Sequence, residues 1–321
     1  MKVITCFSYK GGAGRTTASA NIAAALASVS RNVGSIESPL NRKVALIDLD
    51  VFSAGTHRVF EISNEQIRSF EPCVQDYLRE QMAPADYIDR GGIKLDHSFM
   101  GSFRMNRGGA NNCHHGFTLF PAKPDPDARF VVQKQHENVL IELLMELEGS
   151  ERGFDYVILD GESGTRQMAD IAVRLSDVVL MFFRLTWQHI EGTLNTALDF
   201  DAKTRFKKPF YLIPTCVPLV SSEDNVYRER APGLAELADL TERIPEASTL
   251  NEYARQHRDG AGHFWDGPDR VGGARLCVHD SLFLKGEERV IVFDADAHRD
   301  RAADDFYRIA AELDRLLDPS K

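Results

Sequence analysis

Residues 3–27 decide the fold: Val3–Tyr9 (VITCFSY), then Lys10–Thr17 (KGGAGRTT), then Ala18–Ala27 (ASANIAAALA). The first piece is a run of apolar and β-prone residues short enough for a buried strand. The last is Ala-rich, with strong helix propensity. Between them Gly11, Gly12 and Gly14 let the backbone curl tightly, so that successive N–H groups face one anion. A helix beginning near Thr16 adds its partial positive charge. In that setting the Thr16 hydroxyl is placed for Mg²⁺ and the Thr17 hydroxyl for a phosphate oxygen. A glycine-rich turn can also be a plain strand-to-helix connection, so the loop needs support from elsewhere in the chain.

Outward from that loop the chain alternates. Lys43–Asp50 (KVALIDLD) is a near-continuous apolar run, as expected of a parallel strand covered on both faces. Glu65–Gln81 reads as helix. Gly91–His115, rich in Gly, Asn, His and Arg, reads as a long loop or insertion, placed near 84–116. Strand 116–122, helix 130–147, strand Tyr156–Asp160, helix 168–176, strand 177–184, helix 188–204 and strand 209–215 follow. This regular order predicts an α/β fold, a doubly wound and mostly parallel sheet with helices on both faces. Residues 220–273 form a polar stretch with helical pieces at Leu234–Thr241 and Leu250–Gln256. Short strands are expected at Arg275–His279 and Arg289–Phe293, and a closing amphipathic helix at Asp300–Leu317. The whole chain, 1–321, reads as one domain with two insertions.

Composition narrows the function. A formal charge of −10 and a hydrophobic share of 43 % suit an ordinary globular chain and oppose broad attraction to nucleic acid or anionic membranes. No apolar run approaches the roughly 18 residues that span a bilayer, and MKVITCFSYK is not a signal peptide, so a cytoplasmic protein is expected. The five cysteines, at 6, 73, 113, 216 and 277, form no CxxC pair. Cys113, His114 and His115 are adjacent and have no partners at zinc-like spacing, so a solvated loop is the better reading. Lys203, Arg205, Lys207 and Lys208 are the local basic cluster. They read as a helix C-terminus in solvent, with nonspecific DNA contact as the alternative.

The loop departs from the ordinary Walker A pattern at Tyr9, where glycine is usual, and at Arg15, where lysine is usual. Lys10 directly before the double glycine resembles the deviant Walker A loop of the ParA/MinD family of P-loop ATPases, in its KGGxGR variant. Asp48 and Asp50 in VALIDLD resemble the family's DxD segment, and YVILDGESG resembles its Walker B strand, with Gly161, Glu162 and Ser163 in place of a Pro pair. SDVVLMFF, and VHDSLFLKGEERVIVF with the last helix, continue the likeness.

The resemblance implies ATP and Mg²⁺ as ligands. Lys10, Gly11, Gly12, Ala13, Gly14, Arg15, Thr16 and Thr17 would hold the nucleotide, and Thr16, Asp48 and Asp160 the metal. Lys10 would reach across an ATP-dependent homodimer, and Asp50 would orient the attacking water. The adenine-reading Asn after strand 209–215 is absent, with Thr215 and Cys216 there. A slow ATPase that controls a partner encoded nearby is one expectation. A non-hydrolysing, nucleotide-gated scaffold is the other. The acidic tail DFYRIAAELDRLLDPSK opposes membrane targeting.

Overall fold

The computed structural model describes residues 1–27, 40–80, 82–97, 103–106, 116–125, 130–149, 153–164, 166–184, 210–215 and 301–317, together with 186, 188–189, 191–193, 195–196 and 199. The basic cluster 203–208, the Cys113–His115 run, the 220–273 stretch and the strands expected at 275–279 and 289–293 lie outside these residues.

Eight strands form one sheet: β1 (Lys2–Phe7), β2 (Val44–Asp48), β3 (Ile93–His97), β4 (Phe103–Asn106), β5 (Gly116–Phe120), β6 (Tyr156–Asp160), β7 (Val178–Arg184) and β8 (Phe210–Thr215), in the order β4-β3-β5-β2-β6-β1-β7-β8. Six of them, β5 to β8 along that order, are parallel, and β3 and β4 add an antiparallel edge. Part of the expected loop insertion is therefore built structure: strands β3 and β4 widen the sheet, and helix α5 (Pro84–Gly91) precedes them. In Ile93–His97 the apolar residues alternate, with Ile93 and Leu95 buried. That period is easily lost among the polar residues around it.

Helix α1 (Arg15–Ala27) follows β1. It is buried nearly all round, which explains its alanines. Small side chains let it lie close between the sheet and the closing helix α8 (Arg301–Leu317). On α8, Phe306, Ile309, Ala310 and Leu313 are buried at one-face helical spacing. Together with Ile4, Cys6, Leu46, Ile158 and Leu180 they fill one side of the sheet. The other residues of the same strands, Val3, Ala45, Ile47, Val157 and Leu159, point to the opposite side. There they meet α4 (Val74–Glu80), α5, α6 (Gln135–Gly149) and α7 (Gln167–Leu175). Helices thus cover both faces, as the alternation predicted. Fully burying one such Ile or Leu contributes about 1.5–3 kcal/mol.

The single helix expected over 65–81 is instead two, α3 (Asn64–Arg68) and α4, after a one-turn α2 (Thr56–Val59). Pro72 separates them, since proline cannot donate to a helix ladder and restricts the residue before it. Ser63 and Gln66 form a reciprocal capping box at the start of α3. Register brings Asp48 opposite Asp160 and Cys6 opposite Asp160, so the C-terminal ends of β2, β6 and β1 open at one level. In a parallel α/β sheet that is where ligands bind.

Candidate functional site

The loop after β1 has the predicted shape. Gly12 and Gly14 sit at φ +79° and +74°, in the left-handed region that suits glycine, and no neighbour would crowd a side chain at Gly11 or Gly14. The Ala18 N–H bonds back to the Gly14 carbonyl at 2.9 Å, which locks the loop into the first turn of α1. A brace from β8 holds the loop from beneath: the buried Thr215 hydroxyl donates to the Ala13 carbonyl at 2.8 Å. The β6–α7 loop lies alongside, with Gly161 N–H to the Cys6 carbonyl and Gly164 N–H to the Ser8 carbonyl, each at 3.0 Å.

Arg15 is only 7 % exposed and points into the carboxylates instead of out towards the cradle. Its Nε donates to Asp160 Oδ1 at 2.8 Å and its Nη2 to Asp50 Oδ2 at 2.9 Å, with Nη2 also 3.3 Å from Thr16 Oγ1. Burial opposes its charge, but Asp160 and Asp50 outweigh that and hold its pKa above the ordinary arginine value.

The carboxylates are individually fixed. Asp160 Oδ2 accepts from the Thr56 hydroxyl at 2.8 Å. Asp50 Oδ1 accepts from Ser53 N–H at 3.0 Å. Asp48, expected as a metal ligand, accepts from two backbone N–H groups, Asp50 at 3.1 Å and Thr56 at 3.2 Å, and so buckles the β2–α2 turn. Its pKa is pushed up to about 7, by burial first and then by the neighbouring Asp160 and Asp50 charges. Beside them Glu162, also buried, accepts from Arg166 Nη1 at 2.5 Å.

The predicted residues therefore gather at one place: Gly11–Thr17 on the loop and first helical turn, and Asp48, Asp50 and Asp160 at the strand ends. Lys10 stands at the exposed rim, its Nζ donating to Gln188 Oε1 at 2.9 Å. Tyr9 lies against helical residue Gly192, where a Cβ would come within 2.1 Å of the tyrosine ring. Arg184, at the end of β7, brings Nη2 to 4.0 Å from where a Gly12 side chain would start, adding a second cation to the rim.

Sequence reasoning missed Thr56, Arg184 and the bracing role of Thr215. Thr56 opens a helix of 4 residues, too short to show a period. Thr215 stood out only as a departure from the expected asparagine.

As a donor set, the oxygens of Asp160 and Thr16 suit a hard cation such as Mg²⁺, while Asp48 is held by backbone N–H groups. Among the described residues no three acidic, His or Cys side chains converge on one point that could hold a metal. Between Asp50 and Asp160 lies the Arg15 guanidinium.

Comparison with known proteins agrees with this architecture. The AAA_31 family model, described as an AAA domain, matches residues 1–208. The fold is similar to the MinD cell division protein of Aquifex aeolicus, at TM-score 0.60 and 17 % identity over 98 % of this chain and 97 % of that one. Cobyrinic acid a,c-diamide synthase from Mycobacterium smegmatis, solved with an ATP analog and magnesium, is equally similar, at 0.60 and 17 % over 100 % and 97 %. Septum site-determining MinD from Pyrococcus horikoshii, solved with Mg-ADP, gives 0.57 and 15 % over 100 % and 98 %. No curated protein sequence matches the chain. With the matched family model spanning residues 1–208, the chain belongs to the AAA_31 family and has the MinD/ParA-like P-loop ATPase fold.

Proposed function

We propose that the protein is an ATP-binding molecular switch, whose nucleotide-bound form homodimerises and controls a partner encoded nearby. The observation that carries this reading is the left-handed Gly12–Gly14 loop, running into α1 directly above the Asp50 and Asp160 carboxylates. The loop N–H groups and the α1 N-terminus would receive the phosphates. Arg15 and the rim cations Lys10 and Arg184 would neutralise them. Asp160 and the Thr16 hydroxyl would hold Mg²⁺, which when bound neutralises charge developing on the transferred phosphoryl group. Asp50 would orient a water for slow hydrolysis to ADP and phosphate, and Lys10, exposed at the rim, would reach the partner subunit's nucleotide. The relatives solved with Mg-ADP or with an ATP analog and magnesium support both ligands. Among the described residues no helix is long and apolar enough to cross a membrane.

A second reading, a nucleotide-gated scaffold without turnover, draws support from one feature. Asp50, the residue assigned to the water, is engaged by Arg15. Single-turnover ATP hydrolysis by wild type and Asp50→Ala separates the two: a rate that the substitution abolishes supports the enzyme, and equal background rates support the scaffold. Light scattering should show a doubling of mass with ATP that Lys10→Ala removes.

A further inference from the structure

We infer that Arg15 is a displaceable internal counter-cation that closes the metal site until nucleotide arrives, so that divalent-metal binding is conditional on nucleotide. The inference deepens the switch reading above and rests on it for the identity of the releasing ligand.

Asp50 and Asp160 are both buried at the strand ends, with Asp48 beside them, and carboxylates out of water need a cation close by. Arg15 supplies it from the first turn of α1. Its fork reaches both carboxylates at once, Nε to Asp160 and Nη2 to Asp50, at 2.8 and 2.9 Å. A lysine ammonium is a compact point charge that would have to serve both carboxylates from one nitrogen, without the planar fork. The departure from lysine at this position therefore has a specific consequence. A guanidinium holds Asp160, the carboxylate a metal would need, and Asp50 beside it.

The remaining oxygens reinforce the closure. Asp160 Oδ2 is taken by Thr56, Asp50 Oδ1 by Ser53 N–H, and Thr16 Oγ1 lies 3.3 Å from Arg15 Nη2. A divalent ion arriving alone would have to break two charge-assisted hydrogen bonds and leave Arg15 buried without a partner. A phosphate group offers the guanidinium the same planar, two-oxygen acceptor as a carboxylate. Arrival of a nucleotide in the adjacent glycine cradle gives Arg15 somewhere to go. The same movement frees Asp160 and Thr16 for the cation and Asp50 for the water it would orient. Nucleotide and metal then load together, and metal alone does not.

The test measures Mn²⁺ binding by electron paramagnetic resonance on the full chain in the absence of nucleotide, for wild type, Arg15→Lys, Arg15→Gln and Arg15→Ala. Two charge-assisted bonds hold the wild-type arginine, so its removal should tighten nucleotide-free Mn²⁺ binding by at least about tenfold. Arg15→Gln, which keeps donors but not charge, guards against a misfolded Arg15→Ala and should show the same gain, with Arg15→Lys between. A second readout is thermal: Mn²⁺ should raise the melting temperature of Arg15→Ala and Arg15→Gln and leave wild type unmoved. Equal nucleotide-free Mn²⁺ affinity across the series, or tight Mn²⁺ binding by wild type alone, overturns the inference. Adding fluorescent ATP in EDTA to wild type tests the switch reading separately, since a chain that gains a metal site on Arg15 substitution yet ignores ATP keeps the closure and loses the switch.

Discussion

The attachment of the closing helix to the sheet can be broken at one residue. Asp314 on α8 accepts from Arg42 Nε at 2.6 Å and Nη2 at 2.7 Å, and from the Tyr156 hydroxyl on β6 at 2.8 Å. The Arg42 and Asp314 side chains are 14 % and 11 % exposed, so this is a largely desolvated, two-pronged pair. Asp314→Ala leaves the Arg42 charge and the Tyr156 hydroxyl without this partner. Breaking a buried pair in this way costs about 3–5 kcal/mol, and the residual exposure here places the expectation at the lower end, about 3 kcal/mol. For a chain of this size that is a fall of roughly 4–5 °C in melting temperature. Tyr156→Phe removes the hydroxyl alone and should cost about 1.5 kcal/mol. Replacing both partners, Arg42→Met with Asp314→Leu, should recover much of the loss, because no buried charge is then stranded. The readout is thermal and urea unfolding of the three variants beside wild type. A change under about 0.5 kcal/mol for Asp314→Ala would mean that the pair does not hold α8 in place. The same experiment bears on the proposal that 1–321 is one domain, since α8 packs on α1, the helix that carries the phosphate loop, from beyond the 1–208 family region.

Thr56→Val keeps shape and removes the donor to Asp160. It should destabilise by about 2 kcal/mol, the worth of a hydrogen bond to a charged group, as read by chemical unfolding. His136 is held in its neutral form by burial, with Nδ1 accepting from Gln133 N–H at 3.2 Å and its ring stacked on Phe130. A histidine pKa lowered by folding gives stability that is full above the unfolded value near 6.5 and is lost as pH falls below it. Between pH 7.5 and 5 His136 therefore lowers stability, against Asp48, whose raised pKa adds stability as pH falls through about 7; the check is the comparison with His136→Gln, relative to which wild type should lose melting temperature over this window. His189, lowered by burial and by nearby Arg184 and Lys10, acts with the same sign as His136.

The core of the fold was legible because its signals are physical and local. Continuous, β-branched apolar runs such as VALID and YVILD are too short for buried helices and read as strands covered on both faces, and their order with the helices specified the parallel sheet. Boundaries moved where tertiary bonds decide them: β2 ends at Asp48, whose carboxylate takes the N–H groups of Asp50 and Thr56 and turns the chain out of the ladder. The antiparallel edge was illegible because β3 and β4 carry polar residues on a strand period of only 4 or 5 residues. At the site, the glycines and aspartates announced themselves by type and position. The direction of Arg15 did not, since a loop arginine can face a ligand or its own carboxylates, and only the register of Asp48 against Asp160 brings those carboxylates within reach. Thr56 and Thr215 were hidden for a related reason. A lone threonine acquires its role from what the fold places 2.8 Å away.

The most direct test is calorimetric titration of ATP into the full chain in excess Mg²⁺, beside Gly14→Val. Gly14 sits at φ +74°, where a β-branched residue is strained, and its surroundings are open, so the substitution disturbs the cradle before the core. Wild type should bind one ATP per chain and the variant should lose that binding while keeping its cooperative unfolding. No heat with wild type, or equal affinity in a folded Gly14→Val, would contradict a phosphate site at this loop.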